Sequence, residues 1–491
     1  MTATLAFGGE AGGEEIAPAE LERRAACAAS GFERLGIGEG DVVALMLRNS
    51  PVFIEAMLAC RLLGAYYCPI NWHFKADEAG FILRDSGAKA LAVHAEFLPQ
   101  IEAGLPRGLP IVTVEPGWSA WRDAHEPWRG ASRTPRGNMP YTSGTTGRPK
   151  GVRRMAASEK ERALAMALYR TLLGLEPGMR AFVSAPLYHS APNLYAVQAV
   201  INGSLLMVEP RFDAEATLAL IERHALTNAY LVPTMFVRLL RLPPEVRQRY
   251  DVSSLRFVSS TGSPCAPDVK RAMIEWFGPI ITETYASSET GHVSFVDSRE
   301  WLERPGSVGL PLGGAVVKIL DDAGRELPPG EIGLIYCRQP AYPDFTYTNN
   351  PAARAALERG GLWSVGDMGY LDAAGYLYVA DRKSDMVISG GVNIYPAEIE
   401  ATLMTMPAVA DCAVFGIPDA EFGEALAAAV QLRTDQRASA EQIQAYLRER
   451  IANYKVPRVV SFHDSLPREE SGKIFKRLLR EPYWAAAGRR I

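Results

Sequence analysis

Residues 141–151 read YTSGTTGRPKG, a segment that combines three glycines with Ser and Thr hydroxyls and one lysine. Glycine lets backbone N–H groups come close to an anion, and the hydroxyl groups add further hydrogen-bond donors. A lysine contributes a point charge that suits a chain of phosphates. We therefore interpret the segment as a loop that holds a polyphosphate.

The spacing excludes two common phosphate-binding loops. A P-loop requires G-x-x-x-x-G-K followed by Ser or Thr, whereas Lys150 is followed by Gly151 and is separated from Gly147 by Arg148 and Pro149. The dinucleotide pattern G-x-G-x-x-G does not fit either. The remaining alternative, for the segment taken alone, is a surface turn rich in Gly, Ser and Thr.

Length and composition fit a soluble protein of more than one domain. A chain of 491 residues is too long for a single hydrophobic core. Its 48% hydrophobic and 22% charged residues are ordinary for a globular protein. The net charge of −4 gives no electrostatic reason to expect nucleic acid as a partner.

The termini and the cysteines favour a cytoplasmic location. The first fifteen residues are glycine-rich and acidic, without the basic region of a signal peptide, and no apolar run has the length of a membrane span. The six cysteines show neither C-x-x-C pairing nor zinc spacing, so we expect buried, reduced thiols. They are Cys27, Cys60, Cys68, Cys265, Cys337 and Cys412.

The hydrophobic pattern alternates between helix and strand, which is typical of parallel sheets covered by helices. We predict helices over residues 18–35, 51–63 and 158–174, and strands over 41–47, 88–93 and 181–184. From residue 308 to 338 the pattern changes to short β-rich runs separated by turns, which indicates a small β subdomain or barrel.

A boundary is predicted at residues 381–385, after a hairpin closed by residues 375–379. Beyond it we predict a helix that begins near Pro396, strands over 410–415, 425–432 and 458–462, and a helix over 439–451. Ser439 and Gln442 would form the capping box of that last helix. About a hundred residues of mixed α and β structure make one small domain.

Further segments follow the phosphate loop: VSSTGSP at 258–264, TYASSETG at 284–291, WSVGD at 363–367, SGG at 389–391 and LPREESGK at 466–473. With residues 141–151 they resemble the signature segments of the adenylate-forming (AMP-binding) superfamily, which includes acyl-CoA synthetases, adenylation domains and luciferases. The resemblance covers nearly the whole chain and favours the acyl-CoA ligase branch.

The resemblance implies an α/β fold with a large N-terminal domain and a small mobile one. The large domain, residues 1–381, would contain parallel-sheet α/β subdomains and a small β-barrel-like subdomain. A hinge at 382–386, with Ser384 at the pivot, would connect it to an α+β domain at 387–491.

The resemblance also implies an ATP and AMP site. Its residues would be Thr142, Ser143, Gly144, Thr145, Thr146, Gly147, Lys150, Gly262, Ser263, Tyr285, Ser288, Asp367, Arg382 and Lys473. Tyr285 would stack on adenine and Asp367, an acceptor-only group, would bind both ribose hydroxyls. Glu289 and Lys473 would be catalytic, and Thr142 and Glu289 would bind Mg²⁺.

The co-substrates implied are ATP, coenzyme A and a small carboxylic acid. Ser389, Gly390 and Gly391 would line the tunnel for coenzyme A. The acyl pocket would be lined mostly by apolar residues, which suits a fatty, aromatic or alicyclic acid. These residues are His189, Pro192, Asn193, Val232, Met235, Ala286 and Val293.

Several alternatives stay open. His189 is either a packed core histidine or a lining residue of the acyl pocket. Residues 188–191 offer no carboxylate to pair with an α-ammonium group, and the chain ends eighteen residues after Lys473, so we expect free coenzyme A as the thiol. An enzyme that loads a carrier protein and a luciferase-like oxygenase are the other functions, and a homodimer is an open possibility.

Two residues depart from the family's pattern. Ser384 stands where the family usually has Asp or Lys, which puts the kinetics of the domain motion in question. Ala286 replaces the usual glycine of its segment and would narrow the acyl pocket by one methyl group.

Overall fold

The structure is a computed structural model that describes residues 3–8, 13–131, 133–142, 149–176, 178–263, 265–390, 392–468 and 474–487. Its largest sheet has seven strands, all parallel except for an antiparallel pair at one edge. In spatial order the strands are Ile281–Glu283, Phe257–Ser260, Asn228–Tyr230, Arg180–Val183, Leu205–Val208, Thr4–Phe7 and Glu14–Ile16.

A second, fully parallel sheet of four strands belongs to the same large unit. Its strands are Tyr66–Pro69, Val42–Met46, Ala90–Val93 and Ile111–Thr113. Val42–Met46 is buried at every position, as expected for a strand covered on both faces. The parallel sheets that the alternating helix and strand patterns predicted are therefore present.

Antiparallel sheets follow where the pattern changes to short β-rich runs. One sheet contains Glu358–Arg359, Leu362–Trp363, Gly333–Arg338, Asp367–Leu371 and Leu377–Arg382, with Val316–Leu320 paired to Gly333–Arg338. A three-stranded sheet contains Phe345–Tyr347, Lys150–Arg154 and Tyr141–Thr142. Two short ladders pair Ala286–Ser287 with Gly291–His292, and Ser294–Phe295 with Leu310–Pro311.

The C-terminal part forms a separate five-stranded sheet. Its strands are Val392–Ile394, Val387–Ser389, Gly423–Leu432, Val409–Asp419 and Val459–Phe462. Hydrophobic side chains on its two faces form two clusters, one with the helices Pro396–Met404 and Ala440–Arg448 and one with Lys476–Ala486. We call this part, residues 387–487 as described, the small domain.

Two of the predicted helices begin at a serine that caps them. Ser158 and Ser439 each form a capping box, and Gly174 ends the first of these helices with φ of 60°. The α-helices of the described residues are Pro18–Arg34, Pro51–Leu62, Ala76–Asp85, Leu98–Ile101, Trp118–Asp123, Glu159–Leu173, Ser190–Asn202, Ala214–Arg223, Pro233–Leu240, Pro244–Arg247, Pro267–Phe277, Ser298–Glu303, Pro351–Ala355, Pro396–Met404, Ala440–Arg448 and Lys476–Ala486. Short 3₁₀ turns occupy Ala95–Phe97, Glu102–Gly104 and Asn453–Lys455.

The predicted fold class is confirmed, with parallel α/β sheets, a small β subdomain and a small C-terminal domain. Three details differ. The helix predicted over 439–451 ends at Arg448, the strand predicted over 410–415 runs to Asp419, and the N-terminus contributes strands that the sequence did not predict. The domain boundaries and the mobility of the small domain stay predictions. Within the described ranges, no helix combines the length and apolar character that crossing a membrane requires.

Candidate active site

The three-stranded sheet holds both ends of the predicted phosphate loop. Thr142 pairs directly with Lys150, so the chain leaves and re-enters the sheet at neighbouring positions. Tyr347 lies on the next strand, opposite Val152, and the Lys150 ammonium group lies 5.3 Å from the centre of the Tyr347 ring. This sheet therefore fixes where the loop begins and ends.

The Glu289 carboxylate meets this sheet. Its Oε1 accepts hydrogen bonds from the Thr142 hydroxyl at 3.0 Å and from the Tyr347 hydroxyl at 2.9 Å. Burial, and next the carboxylate beside it, raise the pKa of Tyr347, so its phenol stays a donor. Glu289 is buried and forms no ion pair with any described residue.

A carboxylate of this kind is suited to bind a hard cation, because carboxylate and hydroxyl oxygens are the ligands that Mg²⁺ prefers. Mg²⁺ typically takes one or two carboxylates together with phosphate oxygens. Among the described residues, no group of three or more His, Cys, Asp or Glu side chains is placed to hold a metal ion.

Arg154 holds the backbone around Glu289. Its guanidinium donates to the carbonyl oxygens of Ser288 at 2.7 Å and of Glu289 at 2.9 Å, and to that of Pro343 at 3.1 Å. The Ser288 hydroxyl also lies 2.9 Å from the Ser190 hydroxyl at the start of the helix Ser190–Asn202. Thus the segment that carries Glu289 is tied to two elements of the large unit.

Asp367 begins a strand next to a β-bulge, a feature that re-aims side chains. Its Oδ2 accepts from the Tyr285 hydroxyl at 2.6 Å, and its Oδ1 lies 3.5 Å from Nε of Arg382. Burial, and next the Asp367 charge, raise the pKa of Tyr285 well above its usual value. The structure therefore joins three residues that the sequence predicted separately.

The segment around residue 262 and the segment that carries Tyr285 are fastened to each other. The Thr261 hydroxyl donates to the Thr284 carbonyl oxygen at 2.8 Å. Gly262 has φ of 100° with open space where a Cβ would be, so this turn keeps its backbone accessible. Gly262 and Ser263 lie just after the strand Phe257–Ser260, where the sequence predicted a turn.

The predicted acyl-pocket residues lie on four elements. His189 precedes the helix Ser190–Asn202, which carries Pro192 and Asn193. Val232 and Met235 lie at the start of the helix Pro233–Leu240, and Ala286 lies in the short ladder after Tyr285. Val293 is fully buried in the hydrophobic core of the β subdomain.

Asn193 has a structural role that the sequence did not indicate. Its Oδ1 accepts from the Tyr67 hydroxyl at 2.7 Å, and its Nδ2 donates to the Leu187 carbonyl oxygen at 3.0 Å. The residue is 1% exposed. These bonds fix the amide, and a contact with the acid stays a prediction.

In the small domain, Ser389 ends the strand Val387–Ser389, and Gly390 follows it. Both residues border a cleft of about 850 Å³. Gly390 has φ of 57°, and a Cβ there would lie 2.9 Å from the Phe422 ring. The Ser384 carbonyl oxygen accepts from Arg480 at 3.2 Å. The predicted residues Ser143, Gly144, Thr145, Thr146, Gly147, Gly391 and Lys473 lie outside the described residues.

Sequence reasoning missed Tyr347 and Arg154. Both lie in β-strands whose residues match no motif, and Tyr347 is 58 positions from the carboxylate that it contacts.

Two protein-family models match the chain. A family model described as AMP-binding enzyme matches residues 4–342, and one described as the AMP-binding enzyme C-terminal domain matches residues 398–473.

Individual relatives match along almost their whole lengths. A feruloyl-CoA synthase from Amycolatopsis sp is 34% identical over 96% of this chain and 95% of its own. The fatty acid–[acyl-carrier-protein] ligase ScoC from Streptomyces coeruleorubidus is 32% identical over 98% and 94%. The solved structure of o-succinylbenzoate CoA synthetase from Bacillus subtilis with its acyl-adenylate intermediate is 30% identical, with a TM-score of 0.84 over 97% and 95%.

Proposed function

Because this chain belongs to the AMP-binding enzyme family, we propose that it is an ATP-dependent ligase that joins a carboxylic acid to coenzyme A through an acyl-adenylate. The observation that carries the proposal is the position of the Glu289 carboxylate. It is buried, lacks an ion pair with any described residue, and touches a residue at the start of the phosphate loop.

The first step that we propose is attack of the carboxylate oxygen on the α-phosphorus of ATP, with pyrophosphate leaving. A carboxylate is a poor acyl donor because its leaving group would be oxide, so adenylation is needed first. This step depends mainly on positioning and on stabilising charge at phosphoryl oxygens. The loop 142–150 would hold the leaving pyrophosphate, and Lys473 would stabilise charge near the attacking oxygen.

Glu289 and Thr142 would hold Mg²⁺ together with oxygens of the nucleotide. A bound Mg²⁺ neutralises charge that develops on the phosphates. The chain's own contribution is geometric: Tyr347 and Thr142 orient one carboxylate oxygen, while Arg154 fixes the backbone at residues 288 and 289.

Asp367 and Tyr285 would bind the nucleoside. Asp367 retains acceptor capacity on both oxygens, since each oxygen has a single polar contact among the described residues. Its bond from the Tyr285 hydroxyl sets the direction of that ring, against which adenine would stack.

The second step that we propose is attack of a thiolate on the acyl carbon, with AMP as the leaving group. The cleft beside Ser389 and Gly390 supports coenzyme A as the thiol. It presents the ring of Phe422, with the Arg458 guanidinium 4.6 Å from its centre, and the exposed ring of Tyr454. Aromatic rings and arginines suit an adenine base and its phosphates.

The acid that we propose is apolar in its main part. Val232 and Met235 are buried aliphatic residues at the start of one helix, and Ala286 adds a methyl group. Two of the named relatives are, by name, a feruloyl-CoA synthase and a fatty acid ligase, whose acids are of this chemical kind.

Transfer to a carrier protein is the second candidate function. It is favoured by the 32% identity with a fatty acid–[acyl-carrier-protein] ligase along 98% of this chain. Both functions share the adenylation step and differ only in the thiol.

The test is a panel of fatty, aromatic and alicyclic acids assayed for AMP release, with and without free coenzyme A. We expect AMP release that requires both acid and coenzyme A, and an acyl-CoA product by mass spectrometry. Acid-dependent pyrophosphate exchange without any acyl-CoA would favour the carrier-protein function. No acid-dependent exchange with any acid would contradict the proposal.

Lys473→Ala separates the two steps. We expect adenylate formation to fall on the order of 10²–10³-fold, as for loss of one charge-stabilising contact, while a pre-made acyl-adenylate still reacts with coenzyme A. Equal loss in both half-reactions would reject the assigned role of this lysine.

A further inference from the structure

The small domain contacts the large unit through an arginine at the end of a helix. Arg241 follows the helix Pro233–Leu240, and its guanidinium donates to the carbonyl oxygen of Ala410 at 2.5 Å. Ala410 is the extra residue of a β-bulge at the start of the strand Val409–Asp419. A bulged residue is left unpaired in the ladder, so its carbonyl oxygen is free to accept from another element.

The next residue links this contact to the segment that carries Lys473. Asp411 forms a two-pronged ion pair with Arg468. Arg468 in turn forms a β-bridge with Ile474, and Pro467 accepts from the amide of Phe475 at 2.8 Å. Arg468 therefore lies at the base of the loop 469–473.

The charges at this contact are unbalanced. Besides burial, the groups that act most strongly on Arg241 are three arginines and one carboxylate: Arg433, Arg238 and Arg468 lower its pKa, and Asp411 raises it. Without the Asp411 carboxylate, two arginines of the small domain would face two arginines of the large unit without a compensating charge. Those of the small domain are Arg433 and Arg468, and those of the large unit are Arg238 and Arg241. Like charges brought together in this way oppose docking.

The cleft proposed for coenzyme A is separate from this contact. The cleft beside Ser389 and Gly390 is lined by small-domain residues alone. Arg468, which precedes the loop 469–473, lies near Arg241 of the large unit, whereas no large-unit residue lines the cleft.

We propose that Arg241 and Asp411 are positioning residues that hold the small domain in the orientation of the adenylate-forming step. The inference rests on the proposed function. Asp411 neutralises the arginines at the interface and anchors Arg468, while Arg241 fixes the bulge. Val232 and Met235 lie at the start of the helix Pro233–Leu240 and Arg241 directly follows its end, so the docking contact and the proposed acid site share one rigid element.

Exposed ion pairs are individually weak, and the expected effects are accordingly modest. We expect the docked and undocked orientations of the small domain to differ only slightly in free energy. The loss of one weak contact should therefore change their populations measurably. We expect Asp411→Asn to slow adenylate formation about threefold to tenfold. Formation of thioester from a pre-made acyl-adenylate should be unchanged or faster.

The test measures both half-reactions in the full-length protein: acid-dependent ATP–pyrophosphate exchange, and acyl-CoA formation from synthetic acyl-adenylate and coenzyme A. Asp411→Asn keeps the side-chain oxygen that accepts from the Cys412 amide, so the local fold should persist. Arg241→Ala tests the contact from the other side and should lower exchange in the same half-reaction.

Salt and a neighbouring arginine provide the controls. Raising ionic strength from about 0.1 M to about 1 M shortens the screening length from about 10 Å to about 3 Å, and should restore part of the exchange rate of Asp411→Asn. Arg238→Ala removes the same charge one turn earlier on the helix, where the side chain is exposed and forms no hydrogen bond or ion pair with described residues. It should not slow exchange.

Equal loss of both half-reactions in Asp411→Asn and Arg241→Ala would overturn the inference, because it indicates damage to the fold. Unchanged rates in both variants would overturn it as well. A wild-type protein that forms no adenylate from any acid would instead reject the proposed function, so the two failures can be told apart.

Discussion

At the scale of single residues, the carboxylate of Glu289 is prepared for a cation by two neutral donors. Thr142 and Tyr347 both donate to Oε1, which leaves Oε2 without a partner among the described residues. Two hydroxyl donors restrict the rotation of the carboxylate without neutralising its charge. This arrangement lowers the conformational cost of binding Mg²⁺, because the ligand is already oriented.

Tyr347→Phe removes one of these donors and keeps the buried ring. A hydrogen bond to a charged group contributes about 1.5–3 kcal/mol, so we expect the Mg²⁺ concentration for half-maximal adenylate formation to rise about tenfold or more. Thioester formation from pre-made acyl-adenylate should not change. Titration of exchange activity with MgCl₂ measures the effect.

The matched control is Tyr250→Phe. It removes a tyrosine-to-glutamate hydrogen bond of 2.9 Å, here to Glu215 on another part of the surface. The Mg²⁺ requirement should stay at the wild-type value. A shift as large as that of Tyr347→Phe would show that the response is not specific to Glu289.

His292 makes stability depend on pH. Its ring is buried 3.4 Å from the Thr284 hydroxyl, and burial, with a smaller effect of Arg154, lowers its pKa from 6.5 to about 4. The unfolded chain binds this proton at higher pH than the folded chain does. Stability is therefore lost as pH falls from 6.5 towards 4.

We expect the part of the unfolding free energy that depends on His292 to fall by roughly 2 kcal/mol between pH 7.5 and pH 5. Urea denaturation at these two pH values measures it in the wild type and in His292→Gln, which cannot titrate. The variant should lose less stability than the wild type over this interval. Equal losses would show that the ring is already protonated in the folded protein or that it is solvated.

The sequence predicted some of these residues and not others, for a physical reason. Glu289 and Asp367 lie in contiguous segments, TYASSETG and WSVGD, that resemble signature segments of the family, so the sequence pattern marks them. Tyr347 and Arg154 reach the site through strand pairing, and Arg154 is 135 positions from the Glu289 carbonyl. Such contacts depend on which residues of two distant strands pair with each other, and no local sequence pattern encodes that register.

At the scale of elements, a buried ion pair fastens a helix to the strand that leads into the site. Lys270 on the helix Pro267–Phe277 donates to Glu283 at 2.7 Å, and both side chains are at most 9% exposed. Glu283 ends its strand one residue before Thr284. The pair therefore sets the distance between the turn at Gly262 and the segment that carries Tyr285.

Lys270→Met leaves the Glu283 carboxylate buried without its partner. Removing one member of a buried pair typically costs about 3–5 kcal/mol, and we expect a loss of this size in the free energy of unfolding measured with urea. Adding Glu283→Leu removes the orphaned charge and should restore part of the stability.

An exposed pair serves as the comparison. Lys318 and Glu326 also lie 2.7 Å apart, with side chains 44% and 55% exposed. Lys318→Met should change the free energy of unfolding by less than about 1 kcal/mol. If the two Lys→Met variants lose the same stability, burial does not determine the contribution of the pair at Lys270.

Helices and buried strands were predictable because their signals are local. Ser158 and Gly174 bracket the helix Glu159–Leu173 by cap chemistry alone. The strand Thr4–Phe7 was missed because it is a short run that joins the sheet by pairing with Leu205–Val208, some two hundred residues away. Partners at such separation are decided by the assembled sheet.

At the scale of the whole molecule, the fold class followed from the order of motifs, whereas the docking of the small domain did not. The contact between Arg241 and Ala410 joins residues 169 positions apart and uses a bulge that has no sequence signature. The predicted pivot lies in a short turn, in which the Arg382 carbonyl oxygen accepts from the amides of Asp385 and Met386, both at 3.0 Å. That bifurcated pattern is typical of one helical turn.

Ser384→Pro should disturb this turn and so shift the small domain away from the orientation described here. Proline at this position disfavours the helical conformation of Lys383, which the turn requires. We therefore expect adenylate formation to fall on the order of tenfold, while transfer from a pre-made acyl-adenylate to coenzyme A is retained. Ser384→Ala has no such constraint and keeps the carbonyl oxygen that accepts from Arg480, so it should run both half-reactions at wild-type rates. If Ser384→Pro folds with a normal melting temperature and performs both steps like Ser384→Ala, then the small domain does not pivot at this residue.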